Sequence, residues 1–136
     1  MNTYYLLEQA ARRFPAHGAV YVGSELRWTY ADLHGRVLRL AAALRHLYGE
    51  EARVAVFSEN RPKFLELLFG AWAAGQVIVP LNYKLHPKEV LPIIEDAKVS
   101  AIFVSPSLAG TLRSTLHESP KWRRYYWRCR GWRKPV

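Results

Sequence analysis

A chain of 136 residues has room for one modest domain with a core of its own. Half of its residues are hydrophobic and under a quarter are charged, a composition that excludes a disordered chain. The formal charge of +9 is not spread evenly: seven Lys+Arg against one acid, Glu118, lie within residues 117–136, which excludes a uniformly basic domain.

The lone Cys129 cannot form an internal disulfide and suits a reducing compartment. The N-terminus has no basic segment followed by an apolar block, so no secretory leader is expected. No apolar run nears the roughly 20 residues of a membrane helix. A cytoplasmic protein without a membrane span is the expectation.

Thr3 is placed to cap a short helix whose apolar side is Leu6, Leu7, Ala10, Ala11 and Phe14, with Pro15 as its stop. Residues 19–22 and 26–29 flank Gly23-Ser24-Glu25 and predict a β-hairpin. Thr29-x-x-Asp32 approximates the capping box of a helix running to about Leu47. Its inward stripe is Leu33, Val37, Leu40, Ala41, Leu44 and Leu47, and Gly49 ends it.

From there the pattern becomes regular. Arg53–Phe57 predicts a short buried strand, and Asn60 with Pro62 opens a helix to Ala74 that is apolar on nearly every side. Gly75 ends it, and residues 77–80 form the next strand. Pro87 opens a helix carrying Val90, Leu91, Ile94 and Ala97, and Ala101–Val104 is a third strand. Leu108–His117 predicts one more helix. Short, unalternating apolar strands separated by helices are the pattern of an α/β fold, a parallel sheet with helices on both faces. Here that sheet follows an N-terminal helix and hairpin.

Chemistry-bearing motifs are sparse. Ser105–Thr111 holds one glycine and no following lysine, whereas a phosphate cradle needs several free backbone N–H groups and a cation. His17, His34, His46 and His86 lack partners at metal-ligand spacing and are read as solvated or capping. Glu95-Asp96 is read as a solvated acidic pair. Ser58 and Ser105 have no nucleophile-elbow context. No catalytic, cofactor-binding or metal-ligating residue is expected.

The tail interleaves Trp122, Tyr125, Tyr126 and Trp127 with Arg123, Arg124 and Arg128. Stacking platforms beside cations suit single-stranded nucleic acid, so one reading is a small interaction or nucleic-acid-binding module acting through its tail.

The run Trp28-Thr29-Tyr30-Ala31-Asp32-Leu33 resembles the first core motif of the adenylate-forming (AMP-binding) acyl-CoA synthetases. Gly70-Ala71-Trp72-Ala73-Ala74-Gly75-Gln76-Val77-Ile78-Val79-Pro80-Leu81-Asn82 resembles their second. Arg53–Phe57, Asn60, Phe64, Lys88-Glu89-Val90 and Ile94-Glu95-Asp96-Ala97 continue the likeness over about residues 3–117.

The resemblance implies a parent reaction in which ATP adenylates a fatty or aromatic carboxylic acid, with thioester formation on CoA following. ATP, Mg²⁺ and CoA would be cofactors of the parent enzyme, and none is expected for this chain alone. In the family, a Ser/Thr/Gly-rich loop ending in lysine, an acidic residue for the ribose and a lysine of a mobile C-terminal domain carry the chemistry. All three lie past the matching residues.

The resulting expectation is a truncated N-terminal subdomain of an AMP-binding synthetase over residues 1–117, inactive alone, followed by a basic aromatic tail, 118–136, whose composition breaks abruptly at residue 121 and which is expected to be out of frame from about Trp122. Its expected partners are the missing remainder of the synthetase or a second copy of itself, not nucleic acid.

Overall fold

The computed structural model describes residues 1–116 and 126–128. The basic aromatic tail therefore lies outside the described residues except at 126–128. The chain divides into two compact units, residues 1–51 with 60–77, and residues 52–59 with 78–136.

The first unit opens with helix α1 (Tyr4–Arg13), followed by a hairpin of β1 (Gly18–Val22) and β2 (Glu25–Thr29). The cap of α1 differs from expectation. Thr3 is itself helical in backbone and makes no side-chain cap bond. Asn2 takes that role, its Oδ1 accepting from the Tyr4 N–H at 3.0 Å. Leu7 and Ala11 are buried, whereas Leu6 and Phe14 are exposed, so the inward face is narrower than the expected stripe. The hairpin loop is also one residue shorter than expected, because Glu25 already pairs with Val22. Gly23, at φ +61, supplies the left-handed first position that a two-residue turn needs.

Helix α2 (Tyr30–Tyr48) starts on the expected capping box and stops at Gly49, whose φ of +77 suits glycine. Leu33, Val37, Ala41 and Leu44 are buried and Leu40 is half-buried, while Leu47 is exposed, one turn beyond where the packing ends. Helix α3 (Pro62–Ala73) packs along α2. Pro62 occupies its first turn, but the residue before it is Arg61, without a side-chain cap bond, so Asn60 is not the cap. Leu7, Val20, Leu33 and Val37 form the core of this unit, with Phe69 and Trp28 packed against it.

The second unit is built on a sheet of order β4-β3-β5-β6: β3 is Arg53–Phe57, β4 Val77–Leu81, β5 Ala101–Val104 and β6 Tyr126–Arg128. The pairs β3–β5 and β5–β6 are parallel. Helices α4 (Pro87–Asp96) and α5 (Pro106–Leu116) complete it; α5 starts two residues before the expected Leu108, on Pro106. Ala55, Phe57, Ile102 and Val104 point to one face and join Val90, Ile94 and Leu112 in a core. On the opposite face Val54, Val56, Ala101 and Phe103 are just as deeply buried. Burial on both faces is why these strands carry no alternation.

Candidate functional site

In open parallel α/β sheets ligands gather outside the carboxyl ends of the strands. Here β3 leads into Ser58-Glu59 and β5 into Ser105. The Ser105 N–H donates to the Phe57 carbonyl at 3.1 Å, which extends the ladder one step beyond the strands. Ser105, itself buried, donates its hydroxyl to Glu59 Oε2 at 2.6 Å, and the Ser107 hydroxyl donates to Glu59 Oε1. The Ser58 hydroxyl turns back onto the Glu59 carbonyl at 2.9 Å.

Glu59 therefore sits at the start of α5, where the helix dipole favours a negative charge, and ties that start to the end of β3. Chemically this is a fastening. It holds the Ser105–Thr111 stretch, the nearest the sequence comes to a phosphate loop, with two hydroxyls already donated and a carboxylate where an anion would lie. ATP phosphates and Mg²⁺ do not fit it. Among the described residues no group of three or more His, Cys, Asp or Glu is placed to hold a metal.

Two histidines, His86 and His34, do structural work. His86 Nδ1 accepts from the Lys88 N–H at 3.1 Å and Glu89 accepts from the His86 N–H at 2.8 Å, a reciprocal cap for α4. His34 Nε2 pairs with the Tyr4 hydroxyl at 2.9 Å, joining α2 to α1. Burial, then the nearby Glu8 charge, raises the Tyr4 pKa above its ordinary value. His17 lies edge-on to Phe14, and His46 is exposed in the last turn of α2. Of the Glu95-Asp96 pair only Asp96 is exposed, so the solvated reading holds for one of the two.

Besides the Glu59 fastening, two polar clusters were not foreseen. In the first unit Glu66, 7% exposed, accepts from Arg36 Nε and Nη2, both at 3.1 Å, with Lys63 Nζ at 3.7 Å. Arg36 also lies over the Trp28 ring at 4.3 Å. Buried Gln76 donates through Nε2 to the carbonyls of Leu44 and Gly49, at 3.0 and 2.7 Å. The Gly49 carbonyl lies just past the end of α2 and the Leu44 carbonyl in its last turn, so Gln76 fastens that end of the helix. The Arg36–Glu66 and Ser105–Glu59 pairings span 30 and 46 residues, a separation at which one sequence carries no signal. Ser-Pro-Ser before an apolar run was a signal, since it marks a helix start.

An open groove of about 470 Å³ in the first unit is lined by Tyr21, Val22, Arg61, Pro62, Phe64 and Leu65 among others. It is mostly apolar and brings no acid–base pair together. No described helix is long and apolar enough to cross a membrane.

The chain belongs to the AMP-binding enzyme family, whose profile matches residues 7–126. A 4-hydroxybutyrate–CoA ligase of Metallosphaera sedula is 36% identical over 107 residues, which cover 78% of this chain and 19% of the ligase. A feruloyl-CoA synthase from an Amycolatopsis species is 40% identical over 85 residues, 62% of this chain and 17% of the synthase. The solved N-terminal domain of FACL13 from Mycobacterium tuberculosis shares the fold with a TM-score of 0.85 at 27% identity, covering 94% of this chain and 33% of that one. The chain thus spans about one-fifth of the length of these curated relatives.

Proposed function

We propose that the chain is an N-terminal fragment of an acyl-CoA synthetase and is inactive by itself. The parent reaction would be ATP-dependent adenylation of a fatty or aromatic carboxylic acid, then thioester formation with CoA. One observation carries this reading: the family match runs over nearly the whole described chain, yet the strand ends where a ligand would sit are closed by Glu59 on Ser105 and Ser107. The substrate range follows the relatives, whose named acids include an aliphatic hydroxy acid and an aromatic acid. The chain's own contribution is positional. Within each unit, capped helices or a doubly buried sheet supply scaffold to the rest of such an enzyme.

The test has two arms. The isolated chain should give no ATP–pyrophosphate exchange with butyrate, benzoate or ferulate; exchange above a protein-free blank from a clean preparation would remove the claim of inactivity. Grafting the family-matched residues in place of the corresponding segment of the Metallosphaera ligase should give a soluble chimera that retains thioester formation. A chimera that melts cooperatively but has no ligase activity would overturn the assignment to this family's reaction.

A further inference from the structure

The composition break near residue 121 and the placement of β6 bear on each other. β6 lies parallel to β5 in the register Ala101↔Tyr126, Ile102↔Trp127, Phe103↔Arg128. Its neighbour is buried throughout: Ala101, Ile102, Phe103 and Val104 are 0–2% exposed. A parallel strand beside such a neighbour is ordinarily aliphatic on both faces. The backbone thus runs as the next strand of the sheet, at its edge, with Tyr126-Trp127-Arg128 where β4 and β5 carry largely aliphatic runs.

From this mismatch we infer that residues 122–136 are encoded one base out of register with residues 1–121, through loss of a single base near the Lys121 codon. The inference rests on the chain being a ligase segment, as proposed above.

The genetic code makes it checkable from the protein alone. After such a loss, each original codon consists of the third base of the preceding present codon and the first two bases of the present one. Tryptophan is always TGG and tyrosine always TA followed by a pyrimidine. Position 126 then reads TTA or CTA and position 127 reads TTG or CTG, leucine in every case. Position 125 reads NTA, which is leucine, isoleucine or valine. Position 128 begins with the last G of TGG and reads GCG or GAG, alanine or glutamate. Position 129 reads NTG, which is leucine, valine or methionine.

The residues at the three β6 positions become Leu, Leu and Ala or Glu, preceded by another aliphatic and followed by an aliphatic or methionine. A gain of one base gives no such result. It places glycine at 122, 127 and 132, and glycine within a strand weakens it. Of the two shifted frames, one alone supplies a strand suited to buried β5, at the residues where the backbone lays one. The arginine-tryptophan tail is on this account a translation product and not a nucleic-acid-binding segment.

The coding DNA across the Lys121 codon decides the matter. The expected result is that the frame starting one base earlier stays open through and past the codon for Val136 and encodes further ligase sequence, including a Ser/Thr/Gly-rich loop ending in lysine. A stop codon in that frame between positions 122 and 136 would overturn the inference. So would ligase sequence continuing in the present frame, a result that leaves the ligase assignment standing. Absence of ligase sequence from every frame downstream would remove the inference together with the proposed function.

Discussion

The Asp32 carboxylate accepts from the Thr29 N–H at 3.0 Å and from the Thr29 hydroxyl at 2.8 Å, while the Asp32 N–H donates to Thr29 Oγ1 at 3.2 Å. These bonds, the backbone one foremost, hold its pKa below the ordinary value of 3.8. A carboxyl whose folded-state pKa is depressed gives its full stabilisation above the unfolded value and loses it as pH falls through the folded one. Asp32→Asn should therefore lower the melting temperature near neutral pH. The gap to the parent chain should close as pH falls below 3.8. A gap that stays constant down the titration would show that the cap does not depend on the charge. The Thr29–Asp32 spacing was legible because a capping box is local. The Asn2 cap of α1 was not, since Thr3 offered an equally good side chain one residue later and only the entry path of the chain decides between them.

At the scale of elements, the contact between α2 and α3 depends on Gly70. A Cβ there would meet Leu40 at 2.8 Å from Cδ2, 3.1 Å from Cγ and 3.4 Å from Cβ. Alanine in mid-helix gains about 0.5–1 kcal/mol in backbone entropy over glycine, whereas overpacking a fitted contact costs about 1–3 kcal/mol. Because Leu40 crowds the site with its stem as well as its tip, the second effect should win. Gly70→Ala should move the urea midpoint down, and Leu40→Ala in the same chain should recover part of the loss, a coupling that a double-mutant cycle reads directly. Additive single effects would refute the contact. Element existence and order were legible from α1 to α5, because short apolar runs between helical periods define strands without reference to partners, whereas β6 falls in the stretch read as a basic aromatic tail. Faces were less so. Leu6, Phe14 and Leu47 continue a helical stripe past the point where anything packs on it, and their exposure depends on neighbours that periodicity does not contain. The candidate site was legible only in outline: the weakness of Ser105–Thr111 as a phosphate loop could be read, but not the Glu59 carboxylate that closes it.

For the molecule as a whole, exposed apolar residues are numerous for a chain this short, among them Tyr21, Val22, Leu26 and Val77. Val77 lies on β4, at one edge of the sheet, and unpaired strand edges recruit other chains. The isolated protein should self-associate as its concentration rises, seen by sedimentation, and melt below about 65 °C. A monodisperse monomer with a cooperative transition above that temperature would argue that the chain is self-sufficient. The strand order β4-β3-β5 adds a clock to this picture. Val54 pairs with Ala101, 47 residues further along, and at about 5–20 residues per second that partner leaves the ribosome roughly 2–10 s after β3 does. For those seconds the apolar residues Val54–Phe57 of β3 present an open edge in the cell. A chaperone that holds nascent chains at this stage would shield that edge until its partner strand emerges.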